Sequence, residues 1–267
     1  MSAVDRMFQG LRQAGQKAFI PFVTAGDPDL DFTAAVLREL AARGSSLCEV
    51  GIPYSDPIAD GPVIQDSYTR ALGRKIKVAD ILATLRTVAG NSAAPLLTMV
   101  SYAIIHRYGI DRYVHESKAA GLAGLIVPDL LAEESDELVR ICQHADLSLV
   151  QLITPTTSAE RALRIARTAT GFIYYVSVTG ITGERRELPQ ELIDRLGWLR
   201  AQTDVPVCVG FGISQPEHVR QLAPVADGVI VGSAIVRRIA EGLGRPRSEV
   251  LREIGDYAAT LIAALNG

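Results

Sequence analysis

The sequence is poor in cysteine and lacks long apolar runs. Its 267 residues include three cysteines, Cys48, Cys142 and Cys208, and none forms a Cys-x-x-Cys motif. This spacing argues against a disulfide framework or a zinc site, so we expect free core thiols and a reducing, cytoplasmic compartment. No apolar stretch reaches the ~18 residues of a membrane span. Residues 1–15 lack the apolar segment of a signal peptide, and we expect no membrane association.

An excess of charge of one sign is also absent. The formal net charge is −3, which gives no basic surface for nucleic acid. Apolar residues make up 48% of the chain and charged residues 21%, a balance typical of soluble globular proteins. We expect no metal, because the four histidines lack the spacing of metal ligands: His106, His115, His144 and His218. A serine nucleophile and a Schiff-base lysine are disfavoured, because neither has its usual sequence setting.

What the chain does contain is a repeated alternation of apolar runs and helical segments. The candidate strands are 18–24, 47–51, 96–100, 124–127, 148–153, 172–176, 205–210 and 228–232. Helical spacing of apolar residues marks 31–43, 132–145, 159–168, 192–202 and 216–223, and also Val4, Phe8 and Leu11 near the N-terminus. Eight such units fit an open doubly wound sheet or a closed barrel, and their number favours the barrel. We predict an α/β protein with one domain over 1–267, a (β/α)8 TIM barrel with an extra N-terminal helix.

Turn and capping residues mark the starts and ends of the helices in these units. Asp27-Pro28-Asp29 precedes the first helix after a strand, and Ser214-Gln215-Pro216-Glu217 follows the seventh strand. Both are typical of helix starts, with capping side chains and a proline in the first turn. Gly44 follows Arg43, where a helix is expected to end.

Two carboxylates in residues 48–66 indicate an active site. Glu49 lies inside an apolar strand run, where a charge is costly unless it is paired or used. Asp60 lies in the proline- and glycine-rich loop that follows, although its Asp-Gly pair is also a common turn, and Asp56 before Pro57 is equally turn-like. Two acids in different environments supply distinct proton-handling groups. An exposed surface glutamate is the alternative for Glu49.

Glycines after the last two candidate strands predict a phosphate site. Gly210 and Gly212 follow strand seven, and Gly232 with Ser233 follows strand eight. In (β/α)8 barrels these two loops often bind phosphate through backbone amides and a helix N-terminus. Simple turn glycines are the alternative. The segment 179–186 after strand six has the length and composition of a mobile lid, or of an ordinary solvated loop.

These motifs together resemble the alpha subunit of tryptophan synthase. The resemblance runs from 21–28 to 232–236 and includes the long motif 49–62 and the shorter motifs 178–183 and 209–214. It implies a barrel that cleaves indole-3-glycerol phosphate to indole and glyceraldehyde 3-phosphate, without a metal or organic cofactor in this chain. It also implies a beta-subunit partner that carries pyridoxal phosphate, in an alpha2beta2 heterotetramer.

The resemblance also implies roles for individual residues. Glu49 matches the general acid–base, Asp60 the group that binds the indole N–H, Tyr174 a supporting tyrosine, and Thr182 a lid threonine. The indole pocket is expected to include Phe22, Val100, Tyr102, Ile153 and Phe211. The phosphate site is expected to include Gly183, Gly210, Gly212, Gly232 and Ser233. The loops that face the beta subunit are expected to include Pro53, Asp56, Pro57 and Asp129.

Two loops depart from the family pattern. After Tyr102 the family usually continues with a Tyr-Asn-Pro-like sequence, whereas this chain has Ala103-Ile104-Ile105-His106. Leu131 stands where the family commonly has proline after Pro-Asp-Leu. Both changes bear on coupling to a beta subunit. Two other functions therefore stay open, a free-standing lyase that releases indole and a non-catalytic activator of a beta subunit.

Overall fold

Eight parallel strands close into a barrel in the order of the chain. The computed structural model describes residues 1–57, 60–177, 188–210 and 212–267. Within these ranges each strand pairs with the next, and β8 pairs with β1. The strands are β1 Ala18–Thr24, β2 Cys48–Gly51, β3 Leu96–Met99, β4 Gly124–Ile126, β5 Ser148–Ile153, β6 Ile173–Val176, β7 Val207–Gly210 and β8 Gly228–Val231. The barrel predicted from the sequence is confirmed, and the open sheet is excluded.

Both faces of the strands are buried, which explains their continuous apolar runs. All seven residues of β1 are buried. Ile20 packs with the cluster inside the barrel, whereas Phe19 packs with the outer cluster between strands and helices. Such alternation follows from the two-residue period of a strand, and covering helices leave neither face to water.

Twelve α-helices surround the barrel in the described part of the chain. They are α1 Ala3–Gln13, α2 Leu30–Ala42, α3 Pro62–Leu72, α4 Val78–Ala89, α5 Tyr102–Tyr108, α6 Ile110–Ala119, α7 Asp136–His144, α8 Ala159–Thr168, α9 Gln190–Arg200, α10 Pro216–Leu222, α11 Ser233–Glu241 and α12 Arg247–Asn266. The expected N-terminal helix is α1, and its Val4 and Phe8 join the cluster inside the barrel. The ring of Phe8 lies 5.8 Å from that of Phe172, so α1 covers the N-terminal end of the barrel.

The segment 132–145 is not one continuous helix. A 3-10 turn at Ala132–Glu134 precedes α7, and Ser135 lies between them. The Ser135 hydroxyl donates to the carbonyl of Ala132 at 2.8 Å and accepts from Gln151 at 3.2 Å. A serine that bonds its own turn competes with regular helix geometry, which explains the break.

Helix punctuation is partly as predicted. Asp29 caps α2, since its carboxylate accepts the amide of Phe32 at 2.8 Å. Asp27 does not cap this helix, and Pro28 precedes the cap rather than opening the first turn. Asp27 instead accepts two hydrogen bonds from Arg70, at 2.8 and 2.7 Å.

The other two predicted helix boundaries lie at the start of α10 and at the end of α2. Pro216 opens α10 as predicted, although the cap is Gln215, and Ser214 makes no capping bond. Gly44 has a φ of +93° directly after α2, where the helix was expected to end.

The three cysteines are free and buried, as predicted. None of the described helices is long and apolar enough to cross a membrane.

Candidate functional site

Glu49 lies on β2 with its side chain directed into the barrel. Its neighbours Cys48 and Val50 pack with the outer cluster, whereas Leu47 packs inside. Because side chains alternate along a strand, Glu49 shares the inner face with Leu47. The residue is 0% exposed and pairs in register with Phe22 of β1 and Leu97 of β3. The alternative of an exposed surface glutamate is therefore excluded.

The Glu49 carboxyl has unsatisfied hydrogen-bonding capacity. Neither of its oxygens has a hydrogen-bond partner among the described residues. Burial raises the pKa of Glu49 well above its ordinary value of 4.5. Desolvation favours the neutral form of a carboxyl, so Glu49 holds a proton that it can deliver to a bound molecule.

Asp60 stands beyond the end of β2, just before α3. Gly61 is the cap residue of that helix and Pro62 is its first residue, so the carboxylate immediately precedes the helix start. Burial raises the pKa of Asp60 to about 6. Asp56 is exposed and accepts a hydrogen bond from Ser55 at 2.7 Å. Of these two turn-like aspartates, Asp60 has the more buried environment.

Tyr174 lies within electrostatic reach of both acids. It lies on β6 in the inner cluster and is 4% exposed. Burial raises its pKa, and the charges of Glu49 and then Asp60 raise it further. A Cβ atom at Gly210 would lie 2.5 Å from the Tyr174 hydroxyl oxygen, so the glycine leaves space for the phenol. The structure therefore brings Glu49, Asp60 and Tyr174 to the same end of the barrel.

Two tyrosines near Asp60 were not predicted from the sequence. Tyr68 of α3 is 2% exposed, and its ring lies 5.6 Å from that of Tyr54. Burial raises the pKa of both, and in each case the Asp60 charge is the next largest cause. A Cβ at Gly51 would lie 2.8 Å from the Tyr68 hydroxyl oxygen and would overlap the Phe22 ring. The helical spacing of Ile64, Tyr68 and Ala71 was the available signal for α3.

The residues expected around indole differ in where they pack, either beside the acids and the carboxyl ends of the strands or in the outer cluster. Phe22 packs with Tyr68, Ile64 and Val236 beside the acids. Tyr102 is partly exposed at the start of α5, which also lies at the carboxyl ends of the strands. Val100 and Ile153 are each 1% exposed, but both belong to the outer packing cluster.

The two predicted phosphate loops are neighbours in the barrel. Gly210 ends β7, which pairs with β8, and Gly212 follows with a φ of +74°. Gly232 caps α11, and Ser233 is the first residue of that helix. The first amides of a helix have no intrahelical partner, and they form a natural site for an anion. A Cβ at Gly232 would lie 3.5 Å from the Cβ of Phe22, so this loop adjoins the indole side of the site.

Three expected site residues lie outside the described residues: Thr182, Gly183 and Phe211. The same holds for the segment 179–186. Their roles, and the alternatives of a lid and a solvated loop, stay predictions.

Asp129 links two loops at the carboxyl ends of the strands through hydrogen bonds. Its carboxylate accepts a hydrogen bond from the Ser101 hydroxyl at 2.7 Å and from the Tyr102 amide at 2.8 Å. Residues Ala103–His106, which depart from the family pattern, continue helix α5 after Tyr102. Asp56 and Asp129 are exposed, whereas Pro53 and Pro57 are buried. Leu131 is 53% exposed at the same end of the barrel.

A cavity of about 650 Å³ opens at the opposite end of the barrel. Its cations are Arg12, Lys17 and Arg200, beside Asp227. Arg200 bonds Asp227 at 3.1 Å, and the Lys17 ammonium lies 3.9 Å from the same carboxylate. This cavity is separate from Glu49 and Asp60. It lies at the N-terminal end of the barrel, which in such folds is associated with stability rather than catalysis. No group of three or more His, Cys, Asp or Glu in the described ranges is placed to hold a metal.

Comparison with known proteins identifies the family. The profile of the family described as tryptophan synthase alpha chain matches residues 8–263. The chain belongs to the tryptophan synthase alpha chain family. The member from Rhodopirellula baltica is 49% identical over 276 residues, which cover 100% of this chain and 99% of that protein. The member from Synechocystis sp. is 50% identical over 243 residues, which cover 91% of this chain and 92% of that protein.

Solved structures of the family share the fold. The tryptophan synthase alpha chain of Legionella pneumophila subsp. pneumophila superposes with a TM-score of 0.89 at 34% identity, covering 99% of this chain and 97% of that one. A chain of tryptophan synthase from M. tuberculosis in its aminoacrylate-bound form gives 0.88 at 29% identity, covering 100% of both chains. The family resemblance and the barrel read from the sequence are thus confirmed for nearly the whole alpha chain.

Proposed function

We propose that this alpha chain cleaves indole-3-glycerol phosphate to indole and glyceraldehyde 3-phosphate, with Glu49 as the acid and base. The observation that carries the assignment is the Glu49 carboxyl, fully buried and without a hydrogen-bond partner in the described part of the chain. Such a group destabilises the fold, so a role toward a bound ligand explains its presence. The charges of both Glu49 and Asp60 raise the pKa of Tyr174, which supports a shared site.

The reaction begins with protonation of the indole ring. Because burial raises the pKa of Glu49, the neutral acid is available to donate its proton to C3 of indole. Positive charge then develops on the ring and its nitrogen. Asp60, with a pKa of about 6, is an anion at neutral pH. It accepts a hydrogen bond from the indole N–H and stabilises the cation.

The second step breaks the bond between C3 and the glycerol chain. The Glu49 carboxylate removes the proton from the hydroxyl on the adjacent carbon. The O–H electron pair forms the aldehyde C=O, and the electrons of the broken C–C bond return to the indole ring. Glu49 regains its proton, so the cycle needs no added acid, base or redox partner. A buried carboxylate is a strong base, which suits this return step.

The glycines at the ends of β7 and β8 would hold the phosphate. Gly210, Gly212, Gly232 and Ser233 lie in adjacent loops, and the start of α11 offers free amides. Phe22 lies between this region and the acids. An anchored phosphate would fix the indole ring over Glu49, because orientation of the reacting atoms accounts for a large part of catalysis.

The alpha chain is expected to act with a beta subunit in tryptophan biosynthesis. The proposed assembly is an alpha2beta2 heterotetramer in the cytoplasm, in which the beta subunit carries pyridoxal phosphate and consumes indole. Residues 1–267 would act as one catalytic domain. Exposed Asp56, Asp129 and Leu131 form a rim beside the site and support a docking face there.

The test measures indole released from indole-3-glycerol phosphate while a beta subunit is titrated in. Weak activity that rises steeply with the partner supports the alpha-subunit function. High activity that does not respond to the partner identifies a free-standing lyase. Absence of indole under both conditions leaves only the role of a non-catalytic activator and refutes the proposal. Asp56→Asn, assayed without partner, serves as a control for loss of a nearby carboxylate outside the buried site.

A further inference from the structure

Tyr257 of the C-terminal helix reaches the loop after β7. Its hydroxyl donates a hydrogen bond to the carbonyl of Ser214 at 2.9 Å. Ser214 lies two residues beyond Gly212, in the loop assigned to the phosphate. Tyr257 is partly buried, and burial raises its pKa to about 12, so the hydroxyl keeps its proton at neutral pH.

The ring of Tyr257 also contacts the helix that follows β8. The guanidinium carbon of Arg238 lies 3.5 Å from the ring centroid. The same guanidinium donates to the carbonyl of Ala234 at 2.8 Å. Ala234 is in the first turn of α11, next to Gly232 and Ser233. A continuous chain of contacts therefore joins the loop after β7 to the start of α11.

We infer that Tyr257 and Arg238 are positioning residues that set the spacing of the two phosphate loops. An anion held by backbone amides from two loops requires a fixed separation between them, since errors of about half an ångström weaken such sites. The cation–π contact and the hydrogen bond to Ser214 fix that separation, and neither side chain touches the substrate. This inference rests on the proposed phosphate site.

The test compares Tyr257→Phe with the unaltered chain. Phenylalanine keeps the ring against the Arg238 guanidinium but removes the hydroxyl, which bonds Ser214 and also interacts with that guanidinium. We expect the KM for indole-3-glycerol phosphate to rise about three- to tenfold, the effect of losing one positioned hydrogen bond. The kcat should change by less than about twofold, because Glu49 and Asp60 are untouched. The dissociation constant of sn-glycerol 3-phosphate should rise by the same factor as KM, while that of indole stays constant.

Tyr113→Phe is the matched control. Its hydroxyl lies 3.2 Å from that of Thr98 in a fully buried setting outside both loops. It should lower Tm without raising the dissociation constant of glycerol 3-phosphate. Arg238→Met removes the stacked cation and should raise that constant at least as much as Tyr257→Phe.

Several outcomes would overturn the inference. Unchanged glycerol 3-phosphate affinity in Tyr257→Phe, with only a lower Tm, would reduce Tyr257 to a packing residue. An equal loss of indole and glycerol 3-phosphate affinity would contradict an effect confined to the phosphate loops. The binding measurements need no turnover. A chain that binds glycerol 3-phosphate with the expected dependence on Tyr257 but releases no indole would refute the proposed reaction and support the positioning role.

Discussion

Replacing Glu49 should stabilise the protein while it removes activity, and the gain should grow with pH. The carboxyl is fully buried, and its pKa in the folded chain lies well above the ordinary value of 4.5. Below pH 4.5 both the folded and unfolded chains hold this proton. Between that value and the folded-state pKa, the unfolded chain ionises and the folded chain does not. The stability present at low pH is therefore lost as the pH rises.

The magnitude follows from proton linkage. One proton separates the two states in this interval, so the free energy of unfolding falls by about 1.4 kcal/mol per pH unit because of Glu49 alone. Glutamine is close in size to glutamate and does not titrate, so Glu49→Gln lacks this slope. Asp60 titrates in both proteins, and its contribution largely cancels in their difference.

Urea unfolding of both proteins at intervals from pH 4.5 to 8 measures this difference. We expect the variant to gain stability relative to the parent at about 1.4 kcal/mol per pH unit, up to a plateau. The pH at the plateau reports the folded-state pKa of Glu49. Two parallel curves would show that Glu49 titrates normally, and the reasoning from its burial would be refuted.

The remaining predictions concern the packing and charge of the same end of the barrel. Gly51→Ala should lower kcat/KM and Tm, because a Cβ there lies 2.8 Å from the Tyr68 hydroxyl oxygen; unchanged values of both would contradict the packing. Asp60→Asn should remove the rise of kcat/KM with pH around 6 that ionisation of Asp60 predicts, and a retained rise would assign it to another group. Asp27→Asn should cost about 1–3 kcal/mol in urea unfolding, since it removes the charged acceptor of the partly exposed Arg70, whereas a cost under about 0.5 kcal/mol would show that the pair contributes little.

The strands were predictable because they are buried on both faces. Continuous apolar runs mark each of them, and the observed ends differ from the predicted ones by two residues at most. Glu49 stood out for the same reason, as a lone charge in such a run. Six helices were not predicted: α5, α6, α11 and α12, and also α3 and α4. The exposed faces of α3 and α4 carry many polar residues, and α3 directly follows a proline- and glycine-rich loop that masks its start.

Contacts between distant residues were not available from local patterns. Asp27 has the local appearance of a helix cap, but Arg70, 43 residues later, binds its carboxylate. Tyr68 gains its place beside Asp60 only when α3 packs against the barrel. The link from Tyr257 to Ser214 also spans 43 residues. In each case the partner is set by the closure of the barrel. A short sequence window contains no information about such long-range packing.

The central claim is that Glu49 transfers the proton that releases indole. The most direct measurement is the rate of indole formation by Glu49→Gln at saturating indole-3-glycerol phosphate, beside the dissociation constant of sn-glycerol 3-phosphate. We predict a rate at least ~100-fold below that of the parent, as expected for loss of a positioned acid and base, with phosphate-ester affinity unchanged. A variant that forms indole at a near-normal rate would contradict the account.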